Sequence, residues 1–162
     1  MRSSLLIGAL LAAFFTASSH AQRPPAVRND ADWPMYRHDL AGTGYSRLTQ
    51  ITSANVARLT QAWMYRLQST AAPAAPAGRG GAGAGVNSQA TPIVIDGVMY
   101  LPAANRVVAL EAETGKEIWQ YPVTSGAPSR RGVAYWPGEA NLSPRILFMA
   151  GRRLIALDAR SG

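Results

Sequence analysis

"ALEAETGKEIW", residues 109–119, is answered 47 residues later by "ALDARSG", residues 156–162. Both copies share a frame of alanine, leucine, acid, alanine, a free position, a hydroxyl residue and glycine. Each part of the frame has a physical job. The small Ala109 or Ala156 lets neighbouring sheets approach closely. Gly115 suits a turn conformation that a Cβ would disfavour. Trp119 offers a large flat surface to wedge between layers. The second copy reaches Gly162 before its lysine, acid and tryptophan appear, so the chain reads as the N-terminal part of a longer protein or as a gene fragment.

Outward from the repeat, strand signals are dense. "PIVIDGVMYLP" sets Asp96-Gly97 between two β-rich runs, a hairpin signal because such a two-residue turn needs φ > 0. Strands are predicted over 107–110 and 117–121, with a turn through Thr114-Gly115. A second set follows: "RGVAYW", then "RILFMA", a tight "GR" turn and "RLIALDA". Upstream, "QAWMYRL" alternates Trp63, Tyr65 and Leu67 as a half-buried strand does, and its "AWMY" echoes the "IWQY" of a fourth strand. Four-stranded units recurring at this spacing predict an all-β fold, a β-propeller of four-stranded antiparallel blades, incomplete in this chain.

The flanks read differently. Residues 1–21, with Arg2 ahead of "LLIGALLAAFF" and small residues at Ser19 and Ala21, predict a cleaved secretory signal and a periplasmic or secreted protein. No later stretch is apolar enough to cross a membrane. Residues 22–162 read as the N-terminal part of one propeller domain, interrupted at about 69–89 by a flexible loop of Gly, Ala and Pro that cannot build a core. A short helix is predicted near "TSANVARL", capped by Thr52 or Ser53. The chain has no cysteine, which excludes both a disulfide framework and a thiolate metal site. Sixteen basic residues against nine acidic ones give +7, yet the arginines are scattered singly or in pairs. That pattern is a cationic surface and gives no nucleic-acid partner.

At the pattern A-x-E-x-x-T-G-K-E-x-W the chain resembles the quinoproteins, the propeller dehydrogenases that carry pyrroloquinoline quinone. "DWPMYRHDLAGTGYSRLTQI" resembles their lead-in, "ATPIVIDGVMYLP" their first hairpin, and "SRRGVAYWPG" the segment that reaches the cofactor. The resemblance implies an eight-bladed propeller and oxidation of a sugar, polyol or alcohol. Electrons would pass from the quinone, held beside calcium, to a quinone or cytochrome acceptor. It places Arg131 on the cofactor's carboxylates and Gln89 as a weaker cofactor contact, where relatives often carry glutamate. The absence of a vicinal cysteine pair before "RG" fits the sugar-type branch. The general base and calcium ligands would lie in later blades, so no catalytic or metal residue is assigned here. The alternative reading is a non-enzymatic propeller of the same repeat, a periplasmic scaffold for outer-membrane assembly.

The remaining polar residues are expected to be structural. Arg130 reads as a surface arginine, set opposite Arg131 by strand alternation. His38 reads as structural or solvated, and Asp96, Glu111 and Asp158 as turn residues.

Overall fold

The computed structural model describes residues 29–67 and 89–162. The expected signal at 1–21 and all but the last residue of the 69–89 excursion lie outside the described residues. Among the described residues, seven strands make two antiparallel sheets. Sheet 1 runs β1 (Ile93–Ile95), β2 (Val98–Pro102), β3 (Arg106–Glu111), β4 (Glu117–Pro122) in simple sequence order. Sheet 2 runs β5 (Ala134–Trp136), β6 (Arg145–Ala150), β7 (Arg153–Asp158). The expected all-β blade architecture is present as one four-stranded and one three-stranded unit.

The β1–β2 hairpin closes as its Asp-Gly pair predicts, with φ of 48° at Asp96 and 77° at Gly97. Asp32, buried in the lead-in, fixes this turn from outside: its Oδ1 accepts the Asp96 amide at 2.9 Å. Trp33 beside it exchanges two backbone bonds with Val94, at 2.8 and 3.0 Å, which covers the free edge of β1.

Sheet 1 is buried on both faces. Along β3, Val107 and Ala109 face sheet 2, while Val108 and Leu110 face the lead-in. A central strand sandwiched in this way reads as a continuous apolar run, "VVAL", rather than an alternation. The opposite layer of that sandwich is the stretch predicted as a strand at 61–67. Trp63, Tyr65 and Leu67 do pack inward against Leu101, Ala103, Val108 and Leu110. The segment is extended but belongs to no ladder, because it lies over the face of sheet 1 and not beside an edge. Polar links hold it there. Arg106 Nη2 donates to Arg66 O at 3.2 Å and to Tyr65 OH at 3.3 Å, and the Tyr65 hydroxyl donates to Glu117.

The two tryptophans of the repeat make the same contact twice. Trp119 Nε1 donates to Ala159 O at 3.1 Å, and a Cβ placed on Gly162 would fall 2.9 Å from its ring. Trp63 Nε1 donates to Ala112 O at 3.1 Å, and a Cβ on Gly115 would fall 2.5 Å from its ring. Each indole therefore lies on the glycine of the next repeat unit and bonds the carbonyl three residues before it. Residues 61–67 thus stand to sheet 1 as β4 stands to sheet 2.

Two local expectations are corrected. The helix near residue 56 is a single 3₁₀ turn, Val56–Arg58, with no side-chain cap. The Thr52 main-chain oxygen takes the amides of Asn55 and Val56 instead, at 3.1 and 2.9 Å. "RGVAYW" is a strand only over Ala134–Trp136, since residues 130–131 form a turn.

Gly115→Ala should cost about 2–5 kcal/mol, combining left-handed strain with a clash against a rigid ring. Gly97→Ala, at a φ of 77° with nothing within 4 Å, should cost only the strain, about 1–2 kcal/mol. Urea midpoints of the two variants check the difference, and equal losses would remove the tryptophan contact as the cause.

Burial first, and the Glu117 hydrogen bond second, push the Tyr65 phenol above its ordinary value of 10.0. Folding therefore favours the neutral phenol. Its contribution is complete below about pH 10 and is lost as pH rises through the folded value. Tyr65→Phe should flatten, without abolishing, the fall in stability at alkaline pH, because Tyr100 is also pushed up, to about 12. Denaturation midpoints between neutral and alkaline pH test this, and an unchanged slope counts against it.

Candidate functional site

The segment between β4 and β5, residues 123–133, carries Arg130 and Arg131, and it is fastened at several points. Val123 N donates to Asn105 O at 2.8 Å, tying its start to sheet 1. Pro128 bridges to Ala150, and Ser129 N donates to Met149 O at 2.8 Å, tying its middle to sheet 2. Arg153 Nη2 donates to Ser125 O at 3.0 Å. Gly126 sits at a φ of 81°, where a Cβ would fall 3.2 Å from the Gly151 nitrogen, so the loop lies directly against the β6–β7 turn. At its far side, a Cβ on Gly132 would stand 3.3 Å from Thr91 O. That contact brings the arginine turn beside the entrance to β1, two residues from Gln89.

Arg131 and Gln89 thus reach the same end of the sheets, and both are exposed. The Arg131 amide donates to Ser129 Oγ at 3.3 Å, and its exposed guanidinium bonds to no other described residue. Arg130 is exposed, but not by the strand alternation expected of it. Both arginines sit in the turn and both are exposed, so strand alternation does not set them on opposite faces.

Charge is sorted along the strands. From residue 90 onward the acidic residues are Asp96, Glu111, Glu113, Glu117, Glu139 and Asp158. All lie at the end holding the 96–97 turn, the 112–116 turn, the β5–β6 connection and the exit of β7. The opposite end holds Arg106, Arg130, Arg131, Arg152 and Arg153 and no carboxylate from that set. Arg106 is linked through the Tyr65 hydroxyl to Glu117, and Arg153 is bonded to Ser125. The exposed Arg131 guanidinium has no carboxylate beside it among the described residues, which is what a carboxylate of a polycarboxylate ligand requires, so the residues present fit one.

The other polar residues are structural. Asp158 Oδ1 accepts the amides of Arg160 and Ser161 at 2.9 and 3.1 Å, and these bonds hold its carboxyl below the usual range. Glu111 bonds Thr114 within its own turn. His38 is buried against Trp33, with ring centroids 4.9 Å apart. Among the described residues no three His, Cys, Asp or Glu side chains gather to hold a metal, and no helix is long and apolar enough to cross a membrane.

Sequence reasoning missed Asp32, Arg106 and Arg153. The two arginines had a signal: they stand at the same position of the repeat, 47 residues apart. Asp32, whose role depends on a turn 64 residues away, had none.

Residues 33–162 match the family described as PQQ, glucose/ethanol/alcohol dehydrogenase, β-propeller domain. The chain is 39% identical over 141 residues to the quinohemoprotein alcohol dehydrogenase of Comamonas testosteroni, covering 81% of this chain and 17% of that protein. The crystal structure of that enzyme superposes with a TM-score of 0.59 at 38% identity, over 81% of this chain and 18% of the other. It is 37% identical over 141 residues to a 1-butanol dehydrogenase (cytochrome c) of Thauera butanivorans, covering 81% of this chain and 18% of that protein. It is 34% identical over 150 residues to the quinoprotein glucose dehydrogenase of Escherichia coli, covering 82% and 18%. The chain therefore spans less than a fifth of the length of each of these relatives.

Arg153→Ala should free the 123–129 segment from the β6–β7 turn. Hydrogen exchange at the Ser129 amide should rise about fivefold, the worth of one lost hydrogen bond, while β1–β4 amides keep their rates. An unchanged Ser129 amide would mean that the Arg153–Ser125 bond does not hold the loop.

Proposed function

Because the chain belongs to the glucose/ethanol/alcohol dehydrogenase β-propeller family, we propose that it is part of an exported dehydrogenase dependent on pyrroloquinoline quinone. The family match over residues 33–162 carries this reading. The substrate is a primary or secondary hydroxyl compound, an alcohol or a sugar or polyol, and the electrons leave to a quinone or cytochrome acceptor. Export to the periplasm rests on the signal-like residues 1–21.

When bound, the quinone supplies a two-electron sink, and a calcium ion beside it supplies a Lewis acid. This chain's part is binding and orientation. Arg131 offers a planar fork of donors to a cofactor carboxylate, from a turn held by Ser129 and Gly132. Gln89, at the same end, can add an uncharged hydrogen bond. The sheets supply the rigid base on which both are carried. The general base and the metal ligands are assigned to parts of the enzyme outside these 162 residues.

A chimera tests the reading: residues 22–162 replace the matching stretch of the Comamonas enzyme. The chimera should take up the quinone and reduce dye with an alcohol or a sugar, while the chain alone with quinone and calcium should not. Arg131→Ala in the chimera should weaken quinone affinity by about 1.5–3 kcal/mol, and Arg131→Lys should recover part of it. A chimera that folds but binds no quinone would sink the reading. Turnover by the isolated chain would sink the division of labour.

A further inference from the structure

We infer that this chain associates with copies of itself head to tail, residues 61–67 of one copy adding to the open edge of β7 in another and completing its second sheet. The inference does not rest on the function proposed above.

The two surfaces are the halves of one sheet. Residues 61–66 run exposed, exposed, half-buried, exposed, half-buried, exposed, and β4 repeats that order with Trp119 buried where Trp63 is half-buried. Trp63 lies on Gly115 as Trp119 lies on Gly162. The segment is thus an outer strand, yet it pairs with no inner strand among the described residues. Sheet 2 is the converse. β7 pairs with β6 along one edge and, among the described residues, with no strand along the other. An edge of this kind is a template for another strand. Within one chain the halves cannot meet, because 61–67 packs on one face of sheet 1 and sheet 2 packs on the opposite face.

The sheet faces match as well. Cross-strand pairing sets Leu147, Met149, Leu154 and Ala156 on the face of sheet 2 turned away from sheet 1. Met149 and Leu154 are 44% and 68% exposed there. Val107 and Ala109, 47 residues before Leu154 and Ala156, are wholly buried because sheet 2 covers them. Another copy's sheet 1 would cover Leu154 and Ala156 in the same way, with its own 61–67 already seated on it. The β3–β4 register sets Ala109 opposite Trp119 and Val107 opposite Tyr121. Transferred to the junction, it sets Ala156 opposite Trp63 of the other copy and Leu154 opposite Tyr65. The junction therefore continues the packing that joins 61–67 to sheet 1 inside each chain. It uses different surfaces on the two copies, so successive additions close a ring when the rotation allows. Each copy brings two sheets, and propellers close at about four to eight, which gives a ring of about two to four copies.

The test is sedimentation velocity over a range of concentrations on residues 22–162, the chain without its expected signal. A discrete species of about two to four copies should grow with concentration. Leu154→Lys, at an exposed position, should weaken association about ten- to a hundredfold, the effect of one leucine lost from a buried contact. Ile118→Lys, which puts the same charge on the outer strand of sheet 1, should leave association unchanged. Hydrogen exchange reads the contact directly: amides of 61–67 and of β7 should gain protection together as concentration rises. In the Comamonas chimera, where further chain follows Gly162, that concentration dependence should disappear. A monomer at every concentration would overturn the inference, as would an aggregate that Leu154→Lys leaves intact. Protection of β7 without 61–67 would mean that two β7 edges had met each other, and it too would overturn the head-to-tail contact. So would association of the chimera through the same amides.

Discussion

An indole lying on a glycine is the contact from which the rest of the structure follows. Trp119 reaches across to Gly162 and Trp63 to Gly115, and in each case the ring is so close that no side chain could stand between them. The accompanying bond from Nε1 to an alanine carbonyl fixes the ring's rotation as well as its depth. Once depth and rotation are set, the spacing of sheet 1 from the lead-in and from sheet 2 is set too. The small Ala109 then becomes necessary, because it faces sheet 2 at that separation. Even the Ala159 carbonyl is shared, taking a second donor from the Tyr100 hydroxyl at 3.1 Å.

Much of this was legible because it is local or repeated. The Asp-Gly turn needs only its own backbone chemistry, and the strands around it are signalled by β-branched and aromatic runs. The repeat announced which residues matter between sheets, and the wedge reading of Trp119 becomes in the structure a specific ring-on-glycine contact. What failed were inferences that extend a regular pattern past its end. Alternation suited Tyr135 and Trp136 but was carried back to Arg130 and Arg131, where the chain turns. Residues 61–67 alternate because one side is buried, and that pattern arises equally from an extended segment lying over a face. Ser and Thr near residue 53 suggested a side-chain cap, and a main-chain oxygen supplied the acceptor.

The candidate site was legible in part. The resemblance brought forward Arg131 and Gln89, and the fold sets both at one end. Alignment of motifs carries no information on how the loop between them is held, since that depends on Ser125, Gly126 and Arg153 meeting across a sheet boundary. Nor does composition reveal the sorting of charge. A net charge of +7 describes a cationic chain, yet from residue 90 onward the strands set an arginine end against a mixed, acid-rich end. Antiparallel order does this sorting: residues far apart in sequence, such as Arg106 and Arg153, start their strands at the same end.

The ring-on-glycine contacts also imply an order of folding. The hairpins of both sheets close over a few residues, whereas each indole must find a glycine 43 or 52 residues further along the chain. Loop closure over such distances is entropically slower than a tight turn. Sheet 1 therefore gains its strand pairing before Trp119 has anything to rest on, and the second sheet seats only when residues 159–162 arrive. Tryptophan fluorescence should accordingly change after far-ultraviolet strand signal in a refolding experiment, and simultaneous changes would contradict that order. In a chain emerging from the ribosome, residues 159–162 would act as a latch that closes the layers made before them.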